Sequence, residues 1–215
     1  MKISFAHNVQ NRHITLRETI ESELNYFPDS NIFVAYNDDK FNLNYFNDLK
    51  IKFIRYVGNG HKVGCVNGCI TSIKETLNDD SNVVIFSHDD VKINPKYIDV
   101  VKNNIQQIVN NDVDVICRQP HCYGKNYYMM ESFYINKIAA KKLFEAQRTF
   151  SNENELPVDM RFSPSPEVWL YNTINKYDVK IKQIIYEHSN NNYNKILAEN
   201  LGFLHKNAGI RGWSD

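Results

Sequence analysis

The sequence predicts an α/β fold in one domain, with a mostly parallel central sheet and flanking helices. Three observations predict it. Short, β-branched runs alternate with helical segments over the first two-thirds of the chain. The 215 residues are 42% hydrophobic and 13% aromatic, enough for one real core and too apolar for a disordered chain. Polar residues gather directly after the strands, which is where open α/β sheets bind their ligands.

In chain order, Lys2 to Ala6 reads as a strand. Thr15 to Tyr26 reads as a helix, with Thr15 as N-cap and Glu18 three residues on in a capping box. Asn31 to Tyr36, after Pro28-Asp29-Ser30, is a second strand, and Ile51 to Val57 a third. Gly58-Asn59-Gly60 breaks it, and Val66 to Leu77 follows as a helix. Asn82 to Phe86 is continuous and apolar, as expected of a strand buried on both faces. Ile98 to Val109 is helical, and Val113 to Cys117 is the next strand. Tyr127 to Ile135 reads as a strand pair or bent strand, Lys137 to Gln147 as a helix, and 148–166 as a loop. Ser165 as N-cap and Pro166 at the first helical position open a helix running to about Lys176. Lys180 to Tyr186 is a last strand, before a tail with a short helix. No repeat and no Gly-, Ser- or Pro-rich linker divides the chain.

Charge and composition exclude some classes. The chain carries 25 basic and 25 acidic side chains, a net charge of zero, which argues against a nucleic-acid surface. No apolar run approaches the roughly 20 residues that span a bilayer. The start, Met1 to Asn8, is too polar for a signal peptide. The expectation is a cytoplasmic chain with no transmembrane segment. Its cysteines, Cys65, Cys69, Cys117 and Cys122, lack zinc-knuckle spacing and read as free thiols of a reducing compartment.

Four strand exits are polar: His7-Asn8, Asp38-Asp39, Gly58 to Gly64, and Ser87-His88-Asp89-Asp90. Adjacent carboxylates such as Asp89 and Asp90 repel each other unless a cation neutralises them. Mg2+ or Mn2+ accept such ligands together with phosphate oxygens. The other reading is a solvated turn before Pro95. Asp38 and Asp39 could accept hydrogen bonds from a nucleobase or ribose, or form an ordinary turn. Gly58 to Gly64 has a loosened G-x-G-x-x-x-G spacing. It reads either as a turn whose backbone and Lys62 approach a phosphate or as a plain turn. The Walker pattern, the G-x-S-x-G elbow and the His-Glu-x-x-His zinc motif are absent.

Taken together, these residues resemble the glycosyltransferases of the GT-A (Rossmann-like) fold, in particular the inverting family 2. The acidic pair that ends that family's second strand matches Asp38-Asp39. Its turn and Asn-x-Gly helix match His61-Lys62-Val63-Gly64-Cys65-Val66-Asn67-Gly68. Its apolar strand and D-x-D motif match Val83 to Val91. The first Asp of D-x-D is replaced by Ser87, leaving the metal position to Asp89 or Asp90. Of the late acidic pair that holds the family's catalytic base, Glu167 survives, ahead of Val168-Trp169. His205 and the tail through Arg211-Gly212-Trp213 resemble the C-terminal metal-ligand tail of some GT-A members.

The resemblance implies a glycosyltransferase of hexosyl type. It would use a nucleotide-diphospho-sugar donor, a UDP-sugar by preference, and a hydroxyl of a glycan or other acceptor. Mn2+ or Mg2+ would sit on Asp89, Asp90 and His205, and Glu167 would be the base. Asn8, Asp38, Asp39, Lys62, Gly64, Asn67, His88 and Arg211 would hold the donor. Tyr127, Tyr128 and Trp169 are candidates for sugar stacking. Residues 1–117 would form the donor half and 118–215 the acceptor half. Two other readings stay open: a sugar-1-phosphate nucleotidyltransferase, whose Gly-rich first loop is missing from His7 to Arg12, and a non-catalytic nucleotide- or carbohydrate-binding module.

Overall fold

In a computed structural model, residues 2–9, 12–121, 128–161, 166–187 and 193–205 are described. Strands β1 (Ile3–Val9), β2 (Asn31–Tyr36), β3 (Ile51–Arg55) and β4 (Val83–His88) lie parallel in the order β3-β2-β1-β4. A short β5 (Val91–Ile93) leaves this sheet. The sheet continues from β4 through β7 (Ser132–Asn136) to β6 (Val115–His121) and β8 (Ile181–Glu187). β7 runs antiparallel to both β4 and β6, whereas β8 is parallel to β6. β9 (Phe203–His205) pairs antiparallel with β5 in a separate two-stranded ribbon.

Helices cover both faces. On one, α2 (His61–Thr76), α4 (Lys137–Phe144) and α6 (Glu167–Asn175) enclose a core around Val66, Ile70, Phe86, Phe133 and Trp169. On the other, α1 (His13–Tyr26), α3 (Ile98–Val109) and α7 (Tyr193–Leu201) enclose Leu16, Ile20, Ile85, Ile105 and Phe203. α5 (Val158–Arg161) is a single turn. β4 is the strand that the apolar run implied: Val83 to Phe86 are fully buried, alternate side chains feeding the two cores.

The boundaries differ from the sequence reading in instructive ways. α1 starts at His13, so Thr15 lies inside its first turn, and the N-cap position falls to Arg12, which makes no side-chain cap. α2 starts at His61, because Gly60 adopts φ 95°, a conformation open to glycine, and turns the chain early. Lys62 and Gly64 are therefore helical rather than part of a loop. Among the described residues of the stretch read as a strand pair, β7 forms, and it ends on Asn136, whose side chain caps α4 by accepting from Ala139 N at 2.6 Å. Ser165 lies outside the described residues, and Pro166 occupies the N-cap position of α6.

The sheet order reverses between β1 and β4, each of which lies next to the other and has its own neighbour on the far side. At such a reversal, open α/β sheets bind ligands beyond the carboxyl ends of the strands. The register there sets His7 opposite Ser87 and Asn8 opposite His88. No helix among the described residues is long and apolar enough to cross a membrane.

Candidate functional site

The acid pair lies directly beyond β4. Asp89 and Asp90 are both buried. The Asp89 carbonyl accepts from Thr19 Oγ1 at 3.0 Å, which pins the turn to α1. Arg12 Nη1 donates to Asp90 Oδ2 at 2.6 Å and stands 3.6 Å from Asp89 Oδ1. The β5–β9 ribbon pairs Val91 with His205 and so carries that imidazole to the acid pair, with Nε2 3.6 Å from Asp90 Oδ1. Two carboxylates and an imidazole thus meet one guanidinium. This donor set, oxygen with one nitrogen, suits a divalent ion such as Mn2+. Among the described residues, no three His, Cys, Asp or Glu side chains already stand in a metal-holding cluster.

His88, the last residue of β4, is half-buried, and its buried Nε2 has no hydrogen-bond partner among the described residues. Burial holds its pKa down, reinforced by His205 and His61 and opposed by Asp90 and Glu131.

Glu167 stands in the first turn of α6. Burial pushes its carboxyl up to about 8, and the charge of Glu131 adds to the shift. A backbone N–H at the helix start pulls the other way and loses. The Cys65 thiol, on α2, is pushed up to about 12, first by burial and then by the charges of Glu167, Asp89 and Glu131. Its sulfur is 3.8 Å from His61 Nε2.

Glu131 escaped the sequence reading for a topological reason. Parallel strands bring their ends to the functional edge, but antiparallel β7 brings its start there. Glu131 precedes β7, and its carbonyl accepts from the His88 backbone at 2.9 Å. Its carboxylate accepts from Arg118 Nη2 at 3.1 Å. Arg118, in β6, is completely buried, with its guanidinium over the Tyr186 ring at 5.6 Å. Arg12 meets the acid pair and Arg118 meets Glu131, and nothing in local sequence sets these three residues apart.

Other candidates are placed less centrally. Asn8 is buried beneath α2. Its Nδ2 donates to the Gly64 carbonyl at 3.3 Å, and its Oδ1 accepts from Tyr56 Oη at 3.0 Å. Gly68 makes this contact possible: a Cβ there would fall 2.0 Å from Asn8 Oδ1. Asn67 is also saturated, donating to the carbonyls of Val57 and Phe150 and accepting from Phe150 N. Asp38 closes a turn by accepting from Lys40 N at 2.8 Å, and Asp39 is exposed and paired with Arg55. Lys62 is half-buried in the first turn of α2. Tyr128 and Trp169 are core residues: the Tyr128 hydroxyl accepts from Gln183 Nε2, and Trp169 packs on Phe144. That burial rules both out as exposed stacking platforms. Cys65, Cys69 and Cys117 are free and buried thiols. Arg211, Tyr127 and Cys122 lie outside the described residues.

No protein-family profile and no curated protein matches this sequence. Solved structures do match. A glycosyltransferase involved in the glycosylation of the major capsid of PBCV-1 aligns over 99% of this chain and 94% of its own, with TM-score 0.54 and 13% identity. The 1–349 fragment of S. aureus TarS aligns over 92% of this chain and 63% of its own, with TM-score 0.53 and 15% identity. The same fragment in complex with UDP aligns over 93% and 64%, with TM-score 0.53 and 12% identity. This chain therefore spans less than two thirds of the TarS fragment. The class is defined by these likenesses and the sheet order: an α/β protein with the GT-A fold, shared with the PBCV-1 glycosyltransferase and TarS.

Proposed function

We propose that this protein is a metal-dependent glycosyltransferase. It would move a hexosyl group, with inversion, from a nucleotide-diphospho-sugar to a hydroxyl of a glycan or other acceptor. The observation that supports the reading is the contrast between two acid environments. Asp89 and Asp90 form an acid pair with Arg12 and His205 beside them. Glu167 is a carboxyl tuned close to neutral pH. The fold shared with a PBCV-1 glycosyltransferase and with TarS, which binds UDP, supports a UDP-sugar as donor.

On this reading Asp89, Asp90 and His205 would hold Mn2+ or Mg2+, which supplies Lewis-acid stabilisation of a departing nucleoside diphosphate. Arg12 and Lys62 place positive charge at the same end of the sheet, and Arg211 is proposed to join them. Asp38, Asp39, Asn8, Gly64, Asn67 and His88 form or support the donor half within residues 1–117, and residues 118–215 supply the acceptor half. Glu167 takes the acceptor proton. The acceptor O–H bond breaks as its oxygen bonds to the anomeric carbon. The bond from that carbon to the phosphate oxygen breaks with its electron pair leaving on the diphosphate.

Thermal shift against Mn2+ combined with a panel of nucleoside diphosphates tests the donor side. UDP and Mn2+ together are expected to raise Tm more than either alone. If no nucleoside diphosphate stabilises the protein with metal present, the reading fails.

A further inference from the structure

His7, Glu23 and Ser87 take no part in the donor or metal reading, and all three are fully buried. His7, on β1, places Nε2 2.9 Å from Glu23 Oε2 on α1, and Nδ1 3.1 Å from Ser87 Oγ on β4. An imidazole and a carboxyl taken out of water are a poor source of stability. Apolar residues of similar volume in their place are often neutral or stabilising. Glu23 is not even fully satisfied, since its buried Oε1 has no hydrogen-bond partner among the described residues. What the group achieves is a bridge. An imidazole carries a polar atom on each side of its ring, so one side chain joins a helix to a neighbouring strand.

That bridge closes a ring around the acid turn. Ser87, opposite His7 in the sheet, precedes Asp89 by two residues. The Asp89 carbonyl accepts from Thr19 Oγ1 at 3.0 Å. Thr19 precedes Glu23 by four residues, one turn along the same face of α1. The ring therefore runs from Glu23 through His7 to Ser87, along the chain to Asp89, and back through Thr19 to α1. Every step is a hydrogen bond or main chain, and the end of β4 is gripped by α1 at two points. We propose that Glu23, His7 and Ser87 are positioning residues for the turn that carries Asp89 and Asp90. They fix the end of β4 against α1, so that both carboxylates are set before a ligand arrives. The consequence for metal rests on the reading of Asp89 and Asp90 as metal ligands, whereas the fixing of the turn does not.

Amide hydrogen exchange, read by mass spectrometry, tests the ring without any ligand. Ser87→Ala removes one link and little volume. Exchange over residues 88–93 is expected to quicken between about two- and tenfold, the range that one buried hydrogen bond accounts for. Exchange in α6 should stay as in wild type. Glu23→Leu combined with His7→Phe removes the polar pair and keeps apolar bulk. It is expected to quicken the same segment without lowering Tm. Ser87→Ala alone decides the matter should the paired variant not fold. Unchanged exchange over 88–93 overturns the proposal. So does a rise spread equally over β1, β4 and α6, which a merely structural role would give. Mn2+ binding in the presence of UDP, read by electron paramagnetic resonance, is expected to weaken about tenfold in both variants, the low end for groups that orient metal ligands. A wild type that binds Mn2+ with variants that bind it equally well also overturns the proposal. A wild type that binds no Mn2+ condemns the metal reading instead, and exchange over 88–93 then decides the ring by itself.

Discussion

Two carboxylate clusters sit at opposite edges of the same sheet, and the protein treats them in opposite ways. At the amino edge, Asp79 accepts from Lys137 Nζ at 2.7 Å, Ser81 N at 2.9 Å, Ser81 Oγ at 2.6 Å, Asn31 Nδ2 at 3.1 Å, and the Ser4 hydroxyl. Burial alone would raise its pKa, but the bonds from Lys137, Ser4 and Ser81 win and hold it at about 2. Glu167, at the start of α6, ends up near 8 through burial and the charge of another acid, Glu131, instead of a lysine. Sequence makes the two regions look alike, since Asp79-Asp80 and Asp89-Asp90 are both paired acids next to β4. What separates them is which term wins: at Asp79 the bonds from Lys137, Ser4 and Ser81 outweigh burial, whereas at Glu167 burial and the charge of Glu131 outweigh a backbone N–H.

The largest expected effect breaks the comparison at its active end. Glu167→Gln is expected to lower kcat by about 10²- to 10⁴-fold, the range for removing a general base. Nucleoside-diphosphate binding in the presence of Mn2+ should stay unchanged, as read by calorimetry. Loss of that binding would move Glu167 to the donor side. At the other edge, Asp79→Ala is expected to cost about 3 kcal/mol in urea unfolding, the scale for stripping a partly buried cation of its partner. Transfer by the variant that stays folded should persist.

The pH dependences should run in opposite directions. Asp79 has a depressed folded-state pKa, so its contribution is present above about pH 4 and is lost as pH falls toward 2. Glu167 has a raised one, so its contribution is complete below pH 4.5 and is lost as pH rises through about 8. Tm measured from pH 4 to 9 should therefore show Glu167→Gln equal to wild type at the acid end and more stable at the alkaline end. Parallel curves would mean that Glu167 is not buried as described. The smallest effect is expected from Asp39→Ala, because its exposed pair with Arg55 is worth little in water. A Tm drop rivalling that of Asp79→Ala would erase the distinction drawn here.

Much of this architecture was legible in the sequence because parallel strands announce themselves. Asn82 to Phe86 is an unbroken apolar run, and its exit is where the polar groups fall. Asp38-Asp39 and Asp89-Asp90 could be placed on one edge by that logic alone. The reversal at β7 was not legible. A strand of Ser132-Phe133-Tyr134-Ile135 reads the same in either direction, and only its pairing with β4 shows that Glu131 lies at the functional edge. Arg12 and Arg118 were invisible for a related reason. A single arginine in a loop or a strand carries no periodic signal, and its meaning lies in an acid distant in the chain. The early start of α2 followed from one glycine dihedral, which composition does not reveal.

The β5–β9 ribbon has a consequence in time. A ribosome delivers Asp89 and Asp90 long before it delivers His205, and domains condense from the first-made end. The acid pair can therefore be neutralised by Arg12, and the sheet from β1 to β4 can close, while the strand that carries the imidazole is still unmade. A chain clipped ahead of β9 would lose the buried Phe203 together with His205, and of Asp90's neighbours Arg12 and His205 only Arg12 would remain.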